Sequence, residues 1–231
     1  MAKSFPNTGV SIIDASADLP GSPVEGLMVF QKDTNELKIY DGSAWRSMLD
    51  TDTPPGMTLV QPTSVSGCTV SNGEITASST TSMTVNGVFS SAFDMYKIVH
   101  YMFTGSSSVT NTLFQLTAGG TANTSNYFSR MWYYSQGGGG FTTATANSGS
   151  SLDWMFYGGN VGGGGELTLY RPYNTYNTTM SWSQSMWTTT DNAAFFGHSL
   201  HYYNGQMDGF KLTSTTAISG TFRVYGLRNS V

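Results

Sequence analysis

Short strand-like runs separated by Gly, Asn and Ser constrain the fold of this sequence more than any other feature. No long stretch repeats its apolar residues with a helical period, whereas residues 221–225 alternate polar and apolar side chains as a strand does. Strands that recur with turn residues between them are typical of sandwiches, jelly rolls and barrels. We therefore expect an all-β protein whose larger part is an antiparallel, jelly-roll-like β-sandwich. The strand-like runs of that part are residues 98–103, 112–116, 152–157, 166–170, 180–187 and 220–227.

The composition favours strands and excludes a nucleic-acid-binding role. Ser, Thr, Asn, Gly and Tyr are abundant and straight-chain helix formers are scarce. Charged residues make up only 10% of the chain, yet the 13% of aromatic residues argues against intrinsic disorder. The formal net charge is -4 and the ten Lys and Arg residues are scattered, so we expect no basic patch that would neutralise phosphates.

Cysteine content and apolar segments suggest where such a protein works. Cys68 is the only cysteine, so one chain can build neither an internal disulfide nor a thiolate metal site. We recognise no signal peptide and no membrane-spanning run, and expect synthesis in the cytoplasm without membrane insertion. A surface-exposed protein without disulfides needs another source of stability, such as oligomerisation. A virion protein is made in the cytoplasm and is exposed on the particle after lysis, so it meets both the expected site of synthesis and the expected exposure.

Charge density divides the chain into two modules. Residues 1–50 carry 11 charged residues, whereas residues 51–231 carry 13 in a segment more than three times as long. The stretch 51–57 contains Pro54 and Pro55, which restrict the backbone and are typical of a semi-rigid linker. We predict an amino-terminal module at 1–50, a linker at 51–57 and a β-sandwich head at 58–231.

The amino-terminal module is predicted to contain a β-hairpin. Residues 27–31 and 36–40 are strand-like and are separated by a four-residue polar turn. A second turn at 41–43 places Trp45 where it can cover one face of the hairpin. Because two strands alone are marginally stable, we expect the hairpin to pack on something else, either its own symmetry mates or a neighbouring protein. Candidate docking residues to the virion are Phe30, Tyr40 and Trp45.

Two segments resemble phage structural proteins. Residues 23–45, with the run Gly26-Leu27-Met28-Val29-Phe30, are similar to a hairpin module near the amino ends of phage tail-fibre and other appendage proteins. The segment at residues 219–227 is similar to segments of phage structural proteins. Together they cover a small part of the chain. The resemblance implies a trimeric distal β-domain used in adsorption, attached to the particle by the hairpin module.

Serine and histidine chemistry is poorly supported by the sequence. The Gly-His-Ser-Leu-His run at 197–201 lacks the last glycine of the Gly-x-Ser-x-Gly elbow and the alternating strand–helix context of that motif. His198 and His201 are three residues apart, which places them on opposite faces of a strand and weakens a metal-pair hypothesis. We expect no catalytic residue, no metal ligand and no cofactor.

Neither the carboxylates nor the glycine runs indicate an enzyme that cleaves sugars or a phosphate-binding loop. Phage depolymerases of capsular sugars usually have a long repetitive β-helix, and no repeat is evident here. The glycine run 162–165 is followed by Glu166 instead of the Lys and Ser or Thr of a phosphate loop. We interpret this run and the run 137–140 as loop tips. The carboxylates of the head include Asp94, Asp153, Glu166, Asp191 and Asp208.

Aromatic residues interleaved with Asn, Ser, Thr and Gly are the strongest functional signal. Tyr and Trp beside small polar residues give rigid contact area and adaptable hydrogen bonds, which suits recognition. In an antiparallel sheet, however, half of each run faces the core, so any one of them can instead be a core or subunit-interface residue. The candidate receptor-binding residues are Trp132, Tyr133, Tyr134, Trp154, Tyr157, Tyr173, Tyr176, Tyr202 and Tyr203.

These observations favour a non-enzymatic fibre or spike subunit of a phage particle. Its expected partners are further copies of itself, as a trimer, other virion proteins, and a host cell-surface glycan as candidate receptor. Phe222 and Tyr225 of the terminal strand are candidate residues of the subunit contact. Two alternatives remain open: a free carbohydrate-binding, lectin-like module, and a capsid decoration protein without a receptor role. The first should act without a partner for its amino-terminal module, whereas the virion protein should co-purify with particles.

Overall fold

The computed structural model describes residues 10–48, 56–104, 110–135, 140–187, 189 and 192–227. The chain divides into two compact units, Met1–Pro55 and Gly56–Val231. Residues 51–55 of the predicted linker lie outside the described part of the chain. Nearly all regular structure in both units is β-strand, which confirms the predicted all-β class. No helix among the described residues is long and apolar enough to span a membrane.

The described residues of the first unit form four strands, β1 (Val10–Ile13), β2 (Met28–Gln31), β3 (Glu36–Tyr40) and β4 (Trp45–Ser47). They build one sheet in the order β1-β2-β3-β4. β1 runs parallel to β2, whereas β3 pairs antiparallel with both β2 and β4. A 3-10 turn, Ser16–Asp18, follows β1.

The predicted hairpin is confirmed as β2 and β3, which pair from Met28 with Ile39 to Gln31 with Glu36. The expectation that it packs only on other proteins is incomplete, because β1 and β4 extend the sheet within the chain. The predicted second turn is built on Asp41, whose Oδ1 accepts hydrogen bonds from the backbone N–H groups of Ser43 and Ala44. This turn leads directly into β4.

The second unit contains fourteen strands among the described residues, all connected in one hydrogen-bonded network. The six predicted strands are all present, although most are longer than their apolar runs. The strands are β5 (Met57–Leu59), β6 (Ser64–Ser66), β7 (Thr69–Ser71), β8 (Glu74–Asn86), β9 (Met95–Thr104), β10 (Thr110–Ala118), β11 (Thr121–Ala122), β12 (Tyr127–Ser135), β13 (Gly140–Gly149), β14 (Leu152–Gly158), β15 (Gly162–Tyr170), β16 (Thr178–Trp187), β17 (Asn192–His201) and β18 (Gly209–Leu227).

The long strand β18 connects two layers. Its first part, from Gly209 to Ser214, pairs with β10, and its second part, from Ile218 to Leu227, pairs with β9. The change of neighbour coincides with an irregular register against β8 between Thr213 and Ile218. Bulged strands that switch sheets make the corners of β-sandwiches. The smaller layer contains β10 and the first part of β18. The larger layer contains the second part of β18 and continues through β9, β15, β16, β17 and β12 to β13.

One hydrophobic core lies between these layers. It combines Phe114 and Leu212 of the smaller layer with Ile98, Leu167 and Trp182 of the larger layer. Along β9 the even-numbered residues from Tyr96 to Thr104 are buried and the odd-numbered ones from Val99 to Phe103 are exposed. This period-two burial is what one face packed on a core and one face open to solvent require.

The structure corrects two details of the sequence interpretation. Gly162 to Gly165 do not form a loop tip, because they are the first residues of β15 and pair with β16 along their whole length. Of the other glycine run, residues 137–139 lie outside the described part, and Gly140 begins β13. Phe222, which the alternation of the terminal strand made a candidate for subunit contact, is fully buried in the core of its own chain.

Candidate functional site: the outer face of the larger layer

The larger layer presents a broad sheet surface to solvent. We call outer face the side chains of β18, β9, β15, β16, β17 and β12 that point away from the core. In β16 and β17 every second residue is buried, so the alternate residues from Thr179 to Trp187 and from Asn192 to His198 lie on the outer face. This surface gathers side chains from six strands.

The strand register arranges the outer face in rows that cross the strands. One row joins Tyr134, Ala194, Ser185, Gly164 and Tyr101 through consecutive strand pairs. Small side chains thus lie between two aromatic ones. On β16, Ser181, Ser183 and Ser185 follow one another on this face, and we call them the serine lane. The lane separates the aromatic residues of β12 and β17 from those of β9.

On one side of the serine lane, Trp132 and Phe196 form an aromatic stack. Their ring centroids are 5.7 Å apart and their planes differ by 13°. The guanidinium carbon of Arg130 lies 5.8 Å from the Trp132 ring centroid, within the range of a cation–π interaction. Phe196 and its neighbour Tyr134 each keep 45% of their surface exposed. Apolar ring surface therefore remains available to a ligand or a protein.

At the end of the serine lane, Tyr101 of β9 and Trp187 of β16 border a cleft of about 390 Å³. The cleft is also lined by Val161, the glycines at 162–164, Ser185 and Met186. Trp187 is 61% exposed and Tyr101 is 52% exposed. The Tyr101 hydroxyl donates a hydrogen bond of 3.4 Å to the Val161 carbonyl, which orients the ring along the glycine strand. We call this the Tyr101–Trp187 cleft.

The glycines of β15 allow the cleft to exist. A Cβ on Gly162 would lie 2.3 Å from the Tyr101 hydroxyl oxygen, and its φ of +118° also disfavours other residues. Gly163 faces the core, where a Cβ would approach the Ser185 carbonyl oxygen to 2.8 Å. Gly164 points outward, and the nearest atom to an added Cβ is the His100 carbonyl oxygen at 3.2 Å. Gly164 is therefore the position where a side chain would chiefly fill the cleft.

The opposite end of the outer face is charged. The Lys97 Nζ and a Glu166 carboxylate oxygen are 2.8 Å apart, and Arg223 donates a hydrogen bond to Glu74 of β8. Exposed ion pairs of this kind add little to stability. Glu166 is two residues along β15 from Gly164 and lies in the cross-strand row of Ser183 and Phe196.

The structure separates the nine candidate receptor-binding residues into several groups. Trp132 and Tyr134 lie on the outer face, as described above. Tyr133 points to the core side, where its ring stacks on Phe195 at a centroid distance of 5.8 Å. The side chains of Trp154 and Tyr157 lie outside the part of the chain that is described at side-chain level.

The remaining four candidates lie in the connections at the other end of the strands. Tyr173 packs against the core from the segment between β15 and β16, and Tyr176 of the same segment is exposed. Tyr202 and Tyr203 follow β17 and are both exposed. These residues are therefore not brought together with the Tyr101–Trp187 cleft.

Sequence reasoning missed Tyr101, Trp187 and Phe196, which the structure places on the outer face. Tyr101 and Trp187 belong to predicted strands, so their alternation with buried neighbours was a usable signal. The glycine run was misleading because glycine weakens strands and is commonest in turns. A glycine inside a strand also marks a place where a ligand or a second backbone approaches closely.

The three candidate docking residues lie in the first unit. Phe30 of β2, Tyr40 of β3 and Trp45 of β4 are all half-buried. The rings of Tyr40 and Trp45 have centroids 5.5 Å apart. The structure thus brings two of the three into contact with each other.

Histidines occupy separate environments. His198 is exposed on the outer face and His201 is buried on the core side, as the spacing predicted. The His201 ring stacks on Tyr127 at a centroid distance of 4.3 Å, and its Nε2 is 3.1 Å from the Asn123 side-chain oxygen. Burial lowers the pKa of His201 to about 4 and that of His100 to about 3. Among the described residues, no three His, Cys, Asp or Glu side chains are grouped to hold a metal ion.

No protein-family model matches the chain, and no curated protein matches it. Among solved structures, the chain has a weak likeness to the CBM2 module of the evolved Dit of Lactobacillus casei BL23 phage J-1. The alignment covers 78% of this chain and 94% of that chain, with 11% sequence identity and a TM-score of 0.20. A likeness at this score does not carry an argument about fold or function.

Proposed function

We propose that this chain is a non-enzymatic structural subunit of a phage particle whose second unit attaches to carbohydrate on the host surface. The resemblance of residues 23–45 and 219–227 to phage appendage proteins supports the assignment to a virion. The attachment role is carried by the outer face, where exposed aromatic rings border the serine lane. We assign the outer face, not the connections at its far end, as the binding surface.

The chemistry of the outer face suits a sugar. A sugar ring offers C–H groups that pack on the flat apolar surface of an aromatic ring, and hydroxyl groups that need hydrogen-bond partners at its edge. The outer face provides both, with the rings of Trp132 and Phe196 on one side and the hydroxyl groups of the serine lane beside them. Tyr and Trp supply this contact area at low cost in conformational entropy.

Carboxylates of the second unit have structural partners, which supports a non-enzymatic role. Both Asp208 carboxylate oxygens lie 3.1 Å from the backbone nitrogen of Gly119. Asp153 accepts a hydrogen bond from the Ser151 hydroxyl, and Glu166 forms an ion pair with Lys97. Asp191 lies outside the described residues.

We further propose that the chain assembles as a homo-oligomer, a trimer by the resemblance to phage fibres. The strand β13 supports association, because among the described strands it pairs only with β12 and thus ends the sheet. Residues 140–149 contain no charged residue and no proline, which are the usual protection of an edge strand. Permanent assemblies bury on the order of 2,000 Å² or more.

The oligomer is tested by light scattering of the full chain. The wild type should give a multiple of the 24.9 kDa chain mass, three times for a trimer. Thr143 is exposed on β13, and Thr143→Lys should shift the mass towards a single chain because a lysine protects an edge strand from pairing. A folded wild-type monomer at micromolar concentration would contradict the oligomer.

Attachment and virion assembly are tested separately with the full chain. On an array of bacterial surface polysaccharides the protein should bind at least one glycan and should release no shortened product from it. Mass spectrometry of purified particles should detect the chain, and Trp45→Ala should lower its amount there if the first unit docks to other virion proteins. Glycan binding without any presence in particles would instead identify a free lectin.

A further inference from the structure

We propose that the Tyr101–Trp187 cleft is the principal carbohydrate subsite and holds one ring of an uncharged glycan between its two aromatic side chains. This inference rests on the proposed function, since it specifies where on the outer face the sugar binds and which sugars are accepted. The volume of about 390 Å³ lies within the range of small-molecule pockets, which is about 300 to 1,000 Å³.

The cleft differs from the aromatic stack in what its rings contact. Trp132 and Phe196 lie against each other, so each ring already covers part of its neighbour. Tyr101 and Trp187 instead stand on β9 and β16, with β15 between them and glycines at the facing positions of that strand. Two strand spacings separate their backbones by about 10 Å. Because β15 has no side chain there, the Tyr101 ring lies over Gly162, and the cleft remains open beside it.

The charges around the cleft favour an uncharged ligand. None of its eight lining residues carries an ionisable acid or basic group of the Asp, Glu, Lys, Arg or His type. The nearest outward charge along β15 is Glu166, and its carboxylate is paired with Lys97 at 2.8 Å. A sugar acid or an amino sugar would therefore meet no opposite charge in the cleft, and its own charge would lose hydration on binding.

Hydrogen-bonding groups border the apolar walls. Ser185 contributes a hydroxyl group to the lining, and the irregular start of β15 contributes the backbone of residues 162–164. The bond from the Tyr101 hydroxyl to the Val161 carbonyl holds the ring in position before any ligand binds. Such preorganisation lowers the entropic cost of binding.

The dimensions of the cleft argue against a helix of a protein partner as its occupant. A helix with its side chains is about 10–12 Å across, which is as wide as the whole space between the backbones of β9 and β16. A sugar ring presents an apolar surface to each wall and hydroxyl groups at its edges. We therefore commit to a neutral sugar ring, and a second copy of the chain becomes an outcome of the test.

The test is a titration of the full chain, labelled with 5-fluorotryptophan, followed by fluorine NMR. The probes are methyl glycosides of glucose, galactose and N-acetylglucosamine, their short neutral oligosaccharides, and sialic and glucuronic acids as charged counterparts. Trp187→Phe identifies the resonance of Trp187. That resonance should shift with a neutral sugar, with smaller changes at Trp132 and none at the buried Trp182.

Variants test the walls and the floor of the cleft. Trp187→Ala and Tyr101→Ala should each weaken binding about tenfold or more, and Gly164→Val should abolish it by occupying the space. Tyr176→Ala is the matched control, because Tyr176 is an exposed aromatic residue in the connection between β15 and β16, outside both the cleft and the outer face. It should bind as the wild type does. Circular dichroism of each variant establishes that it is folded.

Different failures have different meanings. Binding that is lost in Trp132→Ala but kept in Trp187→Ala and Gly164→Val would overturn the cleft and leave the proposed function standing. Preference for the charged sugars would overturn the assignment to a neutral ligand. A lower mass of Trp187→Ala in light scattering would identify the cleft as a subunit contact. A wild-type protein that binds no glycan would overturn both the inference and the proposed function.

Discussion

The two units of the chain are stabilised in opposite ways. In the first unit, the described residues bury two hydrophobic side chains, Ile13 and Val29, and the strands are joined by exposed polar contacts. Lys32 pairs with Asp14 at 2.9 Å, and Arg46 pairs with Asp41 at 2.8 Å. The second unit has one large aromatic and aliphatic core and few charges. A unit with little core depends on turns and local hydrogen bonds.

The difference in core size between the two units also explains why the proposed binding surface lies in the second unit. A large core fixes one face of the larger layer, so the other face is free to carry residues that stabilise nothing, such as the exposed Trp187. In the first unit, the described aromatic side chains of Phe30, Tyr40 and Trp45 are all half-buried in the sheet. The proposed binding role is therefore more separate from stability in the second unit.

The largest expected effect is the loss of a core ring. Phe222 is fully buried, so Phe222→Ala should lower the free energy of unfolding of the second unit by about 3–5 kcal/mol. Arg223 is the control, because it is exposed on the same strand, and Arg223→Ala should cost about 1 kcal/mol or less. Urea unfolding followed by tryptophan fluorescence measures both. Equal stability of the two variants would contradict the assignment of the core face.

A buried hydrogen bond should matter less than a core ring and more than an exposed one. The Tyr127 hydroxyl accepts a hydrogen bond from the Leu116 N–H at 2.8 Å and donates one to the Asn123 carbonyl at 3.1 Å. Tyr127→Phe leaves both groups without this partner and should cost about 1–3 kcal/mol. Tyr170→Phe, at an exposed position, should change the free energy of unfolding little. Thermal unfolding at pH 7 compares them.

Mild acid should lower the stability of the second unit before it affects the first unit. All three histidines lie between residues 100 and 201. The pKa values of His100 and His201 are lowered to about 3 and about 4 by burial, so below pH 6.5 the unfolded chain binds protons that the folded chain does not. The second unit should therefore be most stable above pH 6.5 and lose stability as the pH falls towards 4. The pKa of Asp41 is lowered from 3.8, so its contribution to the first unit is lost only at lower pH.

Thermal unfolding at pH 7 and at pH 4.5 measures this difference. The melting temperature of the second unit should fall by about 5 °C or more. His201→Gln should reduce the fall, whereas His198→Gln, at an exposed position, should not. A second unit with the same melting temperature at both values would contradict the neutral, buried state of these histidines.

Local pattern was sufficient to predict much of the fold. The hairpin of β2 and β3 is specified by two apolar runs and a four-residue polar turn, and it forms with that pairing. The alternation at 221–225 correctly predicted a strand, because one face of it packs on the core. By contrast, β17 was predicted only in part, because the histidine spacing at 197–201 was interpreted as a strand whereas the full strand runs from Asn192 to His201. Its partners β16 and β12 hold the whole strand in the sheet.

The candidate site was predictable only in part. Trp132 and Tyr134 were selected from an aromatic run, but Tyr101, Trp187 and Gly164 meet through the register of three strands that are far apart in sequence. Single-strand alternation gives the face of each residue and does not give its cross-strand neighbours. The outer face therefore becomes visible only when the strand order is known.

The smallest expected effect is confined to the first unit. The Asp41 carboxylate accepts hydrogen bonds from the Ser43 N–H and hydroxyl, from the Ala44 N–H and from the Arg46 guanidinium, at 2.7 to 2.8 Å. Asp41→Ala removes these bonds, so the turn that leads to Trp45 should open more often. Hydrogen exchange of the Ser43 and Ala44 amides should then accelerate, and Asp41→Asn should give an intermediate rate because its side-chain oxygen still accepts. The melting temperature of the second unit should stay that of the wild type, since the lost bonds are all local to one turn of the other unit. Unchanged exchange in Asp41→Ala would show that the strands alone hold this turn, and the contrast between a core-stabilised unit and a turn-stabilised unit would fail.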